Sequence, residues 1–186
     1  MINRSSNKKL VSALLALALA ASLLLAFCGC GGKASGIAPG MAFDEAKDMA
    51  VVIDGKTYPV RVDSADVLSV LGDDCVKDEV ISCVYDGYDK TFEYEGIIVS
   101  TVPVDGKDVI EMFTITGPEY KTTRGITVGA TREEVTEAYG ENYWDDGYVN
   151  YTESGDPSNI SEMRIQFLFD GDTVEEIYIY SPSYSN

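Results

Sequence analysis

Histidine is absent from all 186 residues. That removes the commonest general base near neutral pH and a favoured metal ligand. It also excludes a Ser-His-Asp arrangement and leaves cysteine pairs poorly supplied for zinc. Positive charge is scarce: 14 Lys and Arg stand against 31 Asp and Glu, for a formal net charge of −17. Such a surface repels nucleic acid and anionic headgroups, so neither is an expected partner. No P-loop, Rossmann glycine pattern or EF-hand loop occurs, and neither cofactor nor metal is expected. Beyond residue 30 there is no apolar run long enough to span a bilayer.

Apolar character is instead concentrated at the start. Residues 1–9 are polar and basic, with Arg4, Lys8 and Lys9 as the charges before Cys30. Leu10 to Phe27 is apolar apart from Ser12 and Ser22, and Cys28-Gly29-Cys30-Gly31-Gly32 follows. A basic region, an apolar core and a small-residue zone make a secretory signal. This segment resembles a bacterial lipoprotein signal, in which a small residue precedes an acylated cysteine. Gly29 before Cys30 fits that pattern, although Phe27 departs from the usual Leu or Val. Cys28 is the alternative, with Leu25 three before it but bulky Phe27 adjacent. An uncleaved apolar anchor is the rival reading. The expected division is a signal over 1–29, then a lipidated Cys30 with a flexible tether over 30–42. A single domain over 43–186 follows. A palmitate-class diacylglyceryl group on Cys30 would hold the domain stably at the outer face of the cell membrane.

Cys75 and Cys83 lie in the expected exported part, where paired thiols usually oxidise. A disulfide between them is expected, closing a short loop between the first helix and the next strand. It would contribute about 2–3 kcal/mol. A pair of free, buried thiols is the alternative.

Two stretches match. Residues 63–72 (DSADVLSVLG) align with residues 131–140 (TREEVTEAYG). Each opens on a capping residue, Asp63 or Thr131, with an acid three positions on, Asp66 or Glu134. Val67, Leu68 and Leu71 share one helical face, as do Val135, Ala138 and Tyr139. Gly72 and Gly140 stand where a helix C-cap wants glycine. Strand-like runs follow each: 80–85, 91–94, 97–102 and 109–116 after the first, then 147–152, 163–169 and 174–180. Asp-Gly at 105–106 and 170–171 marks a hairpin turn near the end of each half. Another hairpin is expected over 51–62 around Asp54-Gly55, a short helix over 43–49, and a loop at 156–159. The expected fold is α+β, built from two helix-plus-antiparallel-strands repeats, with halves about 50–117 and 118–186. Short helices pack on one face of an antiparallel sheet, and the other face is left open.

The run from Arg124 to Gly140 (RGITVGATREEVTEAYG) resembles a helix start of the β-lactamase-inhibitor-like and SmpA/OmlA-like lipoprotein superfamily. Residues 82–99 are also similar to lipoproteins of Gram-positive anaerobes. The resemblance spans roughly residues 50–181. It implies tandem helix-plus-sheet units and a role in binding other proteins, by inhibition or by scaffolding envelope assemblies. It carries over no contact residue.

Acidic pairs such as Asp73-Asp74, Glu133-Glu134, Asp145-Asp146 and Glu175-Glu176 read as solvated surface rather than as facing catalytic carboxylates. Asp145, Asp146 and Asn150 offer too few oxygen ligands for calcium. Aromatic residues are the stronger signal. Tyr143, Trp144, Tyr148 and Tyr151 cluster after the second helix. Tyr178 and Tyr180 alternate with Ile177 and Ile179, so they point to the opposite face of their strand. These six are the candidate binding surface, since Tyr and Trp give large contact area at low entropic cost. Cross-strand pairing that merely stabilises the sheet is the competing role for them. The expected function is non-enzymatic: a lipid-anchored module that binds a protein in the envelope or outside the cell. A binder of glycan or peptide is the alternative, and a cell-wall hydrolase a more distant one.

Overall fold

The computed structural model describes residues 40–182. The expected signal, Cys28, Cys30 and most of the tether lie outside the described residues. Among the described residues no helix is long and apolar enough to cross a membrane.

The chain forms an α+β fold, mostly antiparallel sheet, with three short helices among the described residues. These are α1 (Glu45–Asp48), α2 (Ala65–Leu71) and α3 (Arg132–Tyr139). Helix α3 starts as its sequence dictates. The Thr131 hydroxyl accepts from the Glu134 amide at 3.2 Å, and the Glu134 carboxylate accepts from the Thr131 amide at 2.7 Å. This reciprocal capping satisfies two donors that the first turn leaves unpaired. Helix α2 starts one residue later than its sequence implies. Ser64 occupies the cap position without a side-chain bond, while Asp63 accepts from the Ala65 amide at 3.0 Å. Gly72 and Gly140 end the two helices at φ of 88° and 84°, where a side chain would be strained.

A small sheet runs in the order β2-β1-β7, from β1 (Ala50–Ile53), β2 (Lys56–Pro59) and β7 (Lys121–Thr122). Its hairpin turns on Asp54-Gly55, both at positive φ, as the mirror-image turn between twisted strands requires. Asp105-Gly106 does the same between the strands Ile97–Val104 and Lys107–Ile115. At the third such site Asp170 is still in its strand, and Gly171-Asp172 makes the turn.

The large sheet has eight strands, β3 (Val76–Ile81), β4 (Tyr88–Tyr94), β5 (Ile97–Val104), β6 (Lys107–Ile115), β8 (Trp144–Asp145), β9 (Val149–Tyr151), β10 (Arg164–Asp170) and β11 (Thr173–Tyr180). Its order is β3-β4-β5-β6-β11-β10-β9-β8, antiparallel throughout. Two meanders therefore meet through their last strands, β6 and β11. The strand expected over 80–85 lies earlier, over Val76–Ile81. Its middle residues Lys77, Asp78 and Glu79 are polar, and the strand is exposed along its whole length, so burial did not mark it.

One face of this sheet is core. Ile97, Val99, Phe113, Ile115, Ile165, Phe167, Ile177 and Ile179 are buried in a single cluster, to which α2 adds Val67 and α3 adds Val135 and Tyr139. Strand alternation sends their neighbours to the other face.

Candidate functional site: the outer sheet face

Register builds the site. Trp144 pairs with Asn150, Asn150 with Gln166, Gln166 with Tyr178, Tyr178 with Thr114, and Thr114 with Ile98. Directly paired residues share a face, so these six form one row across the sheet, opposite the core. Tyr180 sits in the next row, paired with Arg164 and Met112. The Arg164 guanidinium lies 5.9 Å from the Tyr180 ring.

The β8–β9 hairpin holds the row's aromatic end. Asp146 accepts from the Asn150 side-chain amide at 2.9 Å and from the Trp144 indole at 3.3 Å. Asn150 is buried, donates also to the Tyr148 carbonyl at 2.6 Å, and accepts from Gln166 at 2.7 Å. Burial alone would raise the Asp146 carboxyl, but hydrogen bonds from Asn150, the Tyr148 amide and Trp144 outweigh it and hold it below its usual range. The acid thus stays ionised to orient the indole. Tyr148, 36% exposed, sets its ring edge-on against Tyr178 with centroids 5.7 Å apart. The Tyr178 hydroxyl donates to Glu176, and burial followed by that bond pushes its phenol up. Burial, then the charge of Glu111, does the same to Tyr180.

The hairpin divides the aromatic cluster that the sequence places together. Trp144 and Tyr148 join Tyr178 on the outer face. Tyr151, one residue past Asn150, points into the core with no exposed surface. It packs against Tyr139 at 5.1 Å and Phe167 at 6.1 Å, and its hydroxyl donates to the Gly140 carbonyl at 2.9 Å. Tyr143 is half-buried beside it, 5.5 Å away. Tyr151 is therefore core rather than binding surface, because a strand alternates its side chains. Tyr143 belongs to that core edge.

The cysteines also differ from expectation. Cys75 and Cys83 are both free thiols. β3 lies between them, and at about 3.3 Å per residue that strand alone spans roughly 16 Å. A disulfide tolerates Cα separations of about 4.4–6.8 Å, so the expected Cys75–Cys83 bond does not fit this fold.

Sequence reading missed a buried ion pair. Arg124 donates Nε and Nη2 to the two Asp48 oxygens, at 2.8 and 2.6 Å. Its other N–H groups go to the carbonyls of Met41, Ala42 and Ala138 at 2.6–2.9 Å. All five guanidinium donors are satisfied, and the group lies 4.6 Å from the Tyr139 ring. Burial opposes the charge, but Asp48 outweighs it and keeps Arg124 more basic than usual. An acid at the end of α1 just ahead of an apolar strand was the available signal. Its partner, 76 residues on, had none.

Elsewhere, a partly open groove of about 370 Å³ lies between β2 and α2, lined by Tyr58, Val62, Asp63, Asp66, Val67 and Ile110 among others. Asp145 accepts from Arg132 at 3.2 Å and from the Gly147 amide at 3.1 Å, so the Asp145–Asp146 pair is engaged within the hairpin. Among the described residues no three Cys, Asp or Glu side chains are grouped to hold a metal.

No protein-family model, curated protein or solved structure matches this chain.

Proposed function

We propose that this chain is a lipid-anchored, extracytoplasmic protein-binding module without enzymatic activity, presenting the outer sheet face around Trp144, Tyr148 and Tyr178 to its partner. The observation that carries the reading is the Tyr148–Tyr178 edge-to-face pair, in line with Trp144, on a face opposite the core. Rigid, half-exposed aromatic rings on a sheet are suited to becoming a desolvated interface centre at little entropic cost. A broad face favours a protein over a small ligand, which prefers a concave pocket. The groove beside α2 is edged by Lys56, Asp63 and Asp66, and is less suited to an apolar ligand.

Two further readings belong to this proposal. The domain is a tandem helix-plus-strands repeat whose helices cover the core face. The pairing of two meanders through β6 and β11 and the shared Gly-terminated helices support it. The amino-terminal segment directs export and is acylated at Cys30, a reading supported by its basic, apolar and Gly-Cys pattern.

The test uses the full chain expressed in a bacterium. Incorporation of a labelled fatty acid, lost on Cys30→Ser and kept on Cys28→Ser, is expected. Affinity capture from the envelope should retain a partner that Tyr148→Ala/Tyr178→Ala and Trp144→Ala each release. Retention of the same partner by all these variants would reject the face, and unlabelled chain would reject the anchor.

A further inference from the structure

Strand β3 stands at the opposite end of the large sheet from the aromatic hairpin. Among the described residues it pairs with β4 alone. It is also where exposed apolar side chains concentrate: Val76 is 68% exposed, Val80 56% and Ile81 75%, with Val84 in the loop to β4 and Tyr88 at the start of β4 close by. An unpaired edge strand is a template for another strand, and this one is apolar at both ends with charges only in its middle, so its partner must match those charges.

The backbone of this edge can be oriented. Ser82 donates its amide to the Gly87 carbonyl at 3.0 Å, continuing the β3–β4 register in which Val76 meets Glu93 and Ile81 meets Tyr88. Antiparallel ladders alternate, so the even-numbered residues of β3 bond to β4. Lys77, Glu79 and Ile81 turn their N–H and C=O groups outward.

From this edge we infer that β3 pairs with β3 of a second copy, antiparallel about a twofold axis at Asp78, joining two eight-stranded sheets. The occupant is identified by self-complementarity. A twofold interface brings residue i to j and j to i. In this register Cys75 meets Ile81, Val76 meets Val80, and Lys77 meets Glu79, each twice. The apolar residues pair with apolar ones on both faces, and the positive charge pairs with a negative one. Lys77 and Glu79 already lie 3.1 Å apart within one chain, so the four charges form a compact alternating group. Shifting the partner by two residues destroys this match: Glu79 would then oppose Glu79, and Lys77 would oppose Ile81. The one unfavourable contact in the chosen register is Asp78 against Asp78. The outward backbone groups of Lys77 and Glu79 gain partners, and the Ile81 amide gains the Cys75 carbonyl; the Cys75 amide itself stays with the Asp73 carbonyl. The inference is independent of the aromatic face, since it uses the other end of the sheet.

The test is tandem capture of two differently tagged full-length copies co-expressed in cells, with thiols reduced. Wild-type copies should co-purify. Lys77→Glu in both copies, or Glu79→Lys in both, places like charges opposite each other and should lower co-capture at least about tenfold. A Lys77→Glu copy expressed with a Glu79→Lys copy restores both charge pairs and should restore co-capture. That also shows each variant folds. Asp78→Asn should strengthen co-capture over wild type. Co-capture absent from wild type, unchanged by either reversal, or not restored by the mixed pair would overturn the inference.

Discussion

The ring of Tyr148 meets the ring of Tyr178 edge-on, at 82° between planes, although the β8–β9 turn and the last strand are separate elements joined through β9 and β10. An edge-to-face pair directs the positive ring edge at the negative face of its neighbour, which is worth about 0.5–1.5 kcal/mol beyond area burial. A double-mutant cycle of Tyr148→Leu and Tyr178→Leu, followed by urea unfolding, should show a coupling of that size. Additive single effects would mean that the rings merely lie near each other.

Asp48 and Arg124 should behave as a closed unit. Their side chains are 0% and 3% exposed, and Arg124 has no unused donor. Removing one partner strands a buried charge, so Arg124→Met or Asp48→Ala should cost about 3–5 kcal/mol. The double variant should recover part of that loss, because neither charge is then left unpaired. Denaturant midpoints of the four proteins decide it. A single variant within about 1 kcal/mol of wild type would show that water reaches the pair.

How the sequence encodes this fold varies along the chain. Helix α3 was legible to the residue because its stop and start are local chemistry, Thr131 with Glu134 and then Gly140. The Asp-Gly hairpins were legible for the same reason. The outward aim of Tyr178 and Tyr180 followed from the two-residue period of a strand beside two isoleucines. Strand β3 was displaced in the reading because an edge exposed on both faces bears no hydrophobic alternation, and Lys77-Asp78-Glu79 resembles a loop. The Tyr151 error has another origin. Trp144 and Tyr148 fall on one side and Val149 and Tyr151 on the other only once the β8–β9 pairing is known, and three-residue strands show too little pattern to reveal it. Asp48 with Arg124 is a tertiary contact between distant segments, which no local pattern specifies.

Cys75 and Cys83 should remain reduced and separately reactive. Cys83 is exposed and Cys75 partly covered, so a thiol reagent should modify Cys83 first. Mass spectrometry of the protein purified under mild oxidant should find no peptide linking Cys75 to Cys83 within one chain. Finding that link in the folded protein would require β3 to be absent, and would refute the register assigned to it.

Alkali should destabilise the domain through its tyrosines. Tyr94 is pushed up to about 12, chiefly by burial and then by its contact with Cys75, while its hydroxyl donates to the Gly72 carbonyl at 3.0 Å. Burial is also the largest cause of the upward shifts at Tyr139, Tyr151 and Tyr178. The folded state therefore keeps protons that the unfolded chain releases near pH 10, so the contribution of these tyrosines is flat below about pH 10 and falls above it. Urea midpoints between pH 8 and 11 should trace that decline, and Tyr94→Phe should make it shallower. A decline of the same steepness in Tyr94→Phe would contradict the role given to Tyr94.

Acid should act on the start of α3. The Glu134 carboxyl is held below its ordinary value of 4.5, first by the Thr131 amide and second by the Thr131 hydroxyl. A depressed carboxylate contributes stability that is present above the unfolded pKa and lost as pH falls through the folded one. The stability gap between wild type and Glu134→Ala should thus be full at pH 7 and narrow progressively as pH falls below about 4.5. Thr131→Ala removes the cap itself and should cost about 1 kcal/mol at neutral pH. A Glu134→Ala gap that persists undiminished at pH 3 would show that packing of the side chain, and not its charge-assisted bond to the Thr131 amide, holds the first turn.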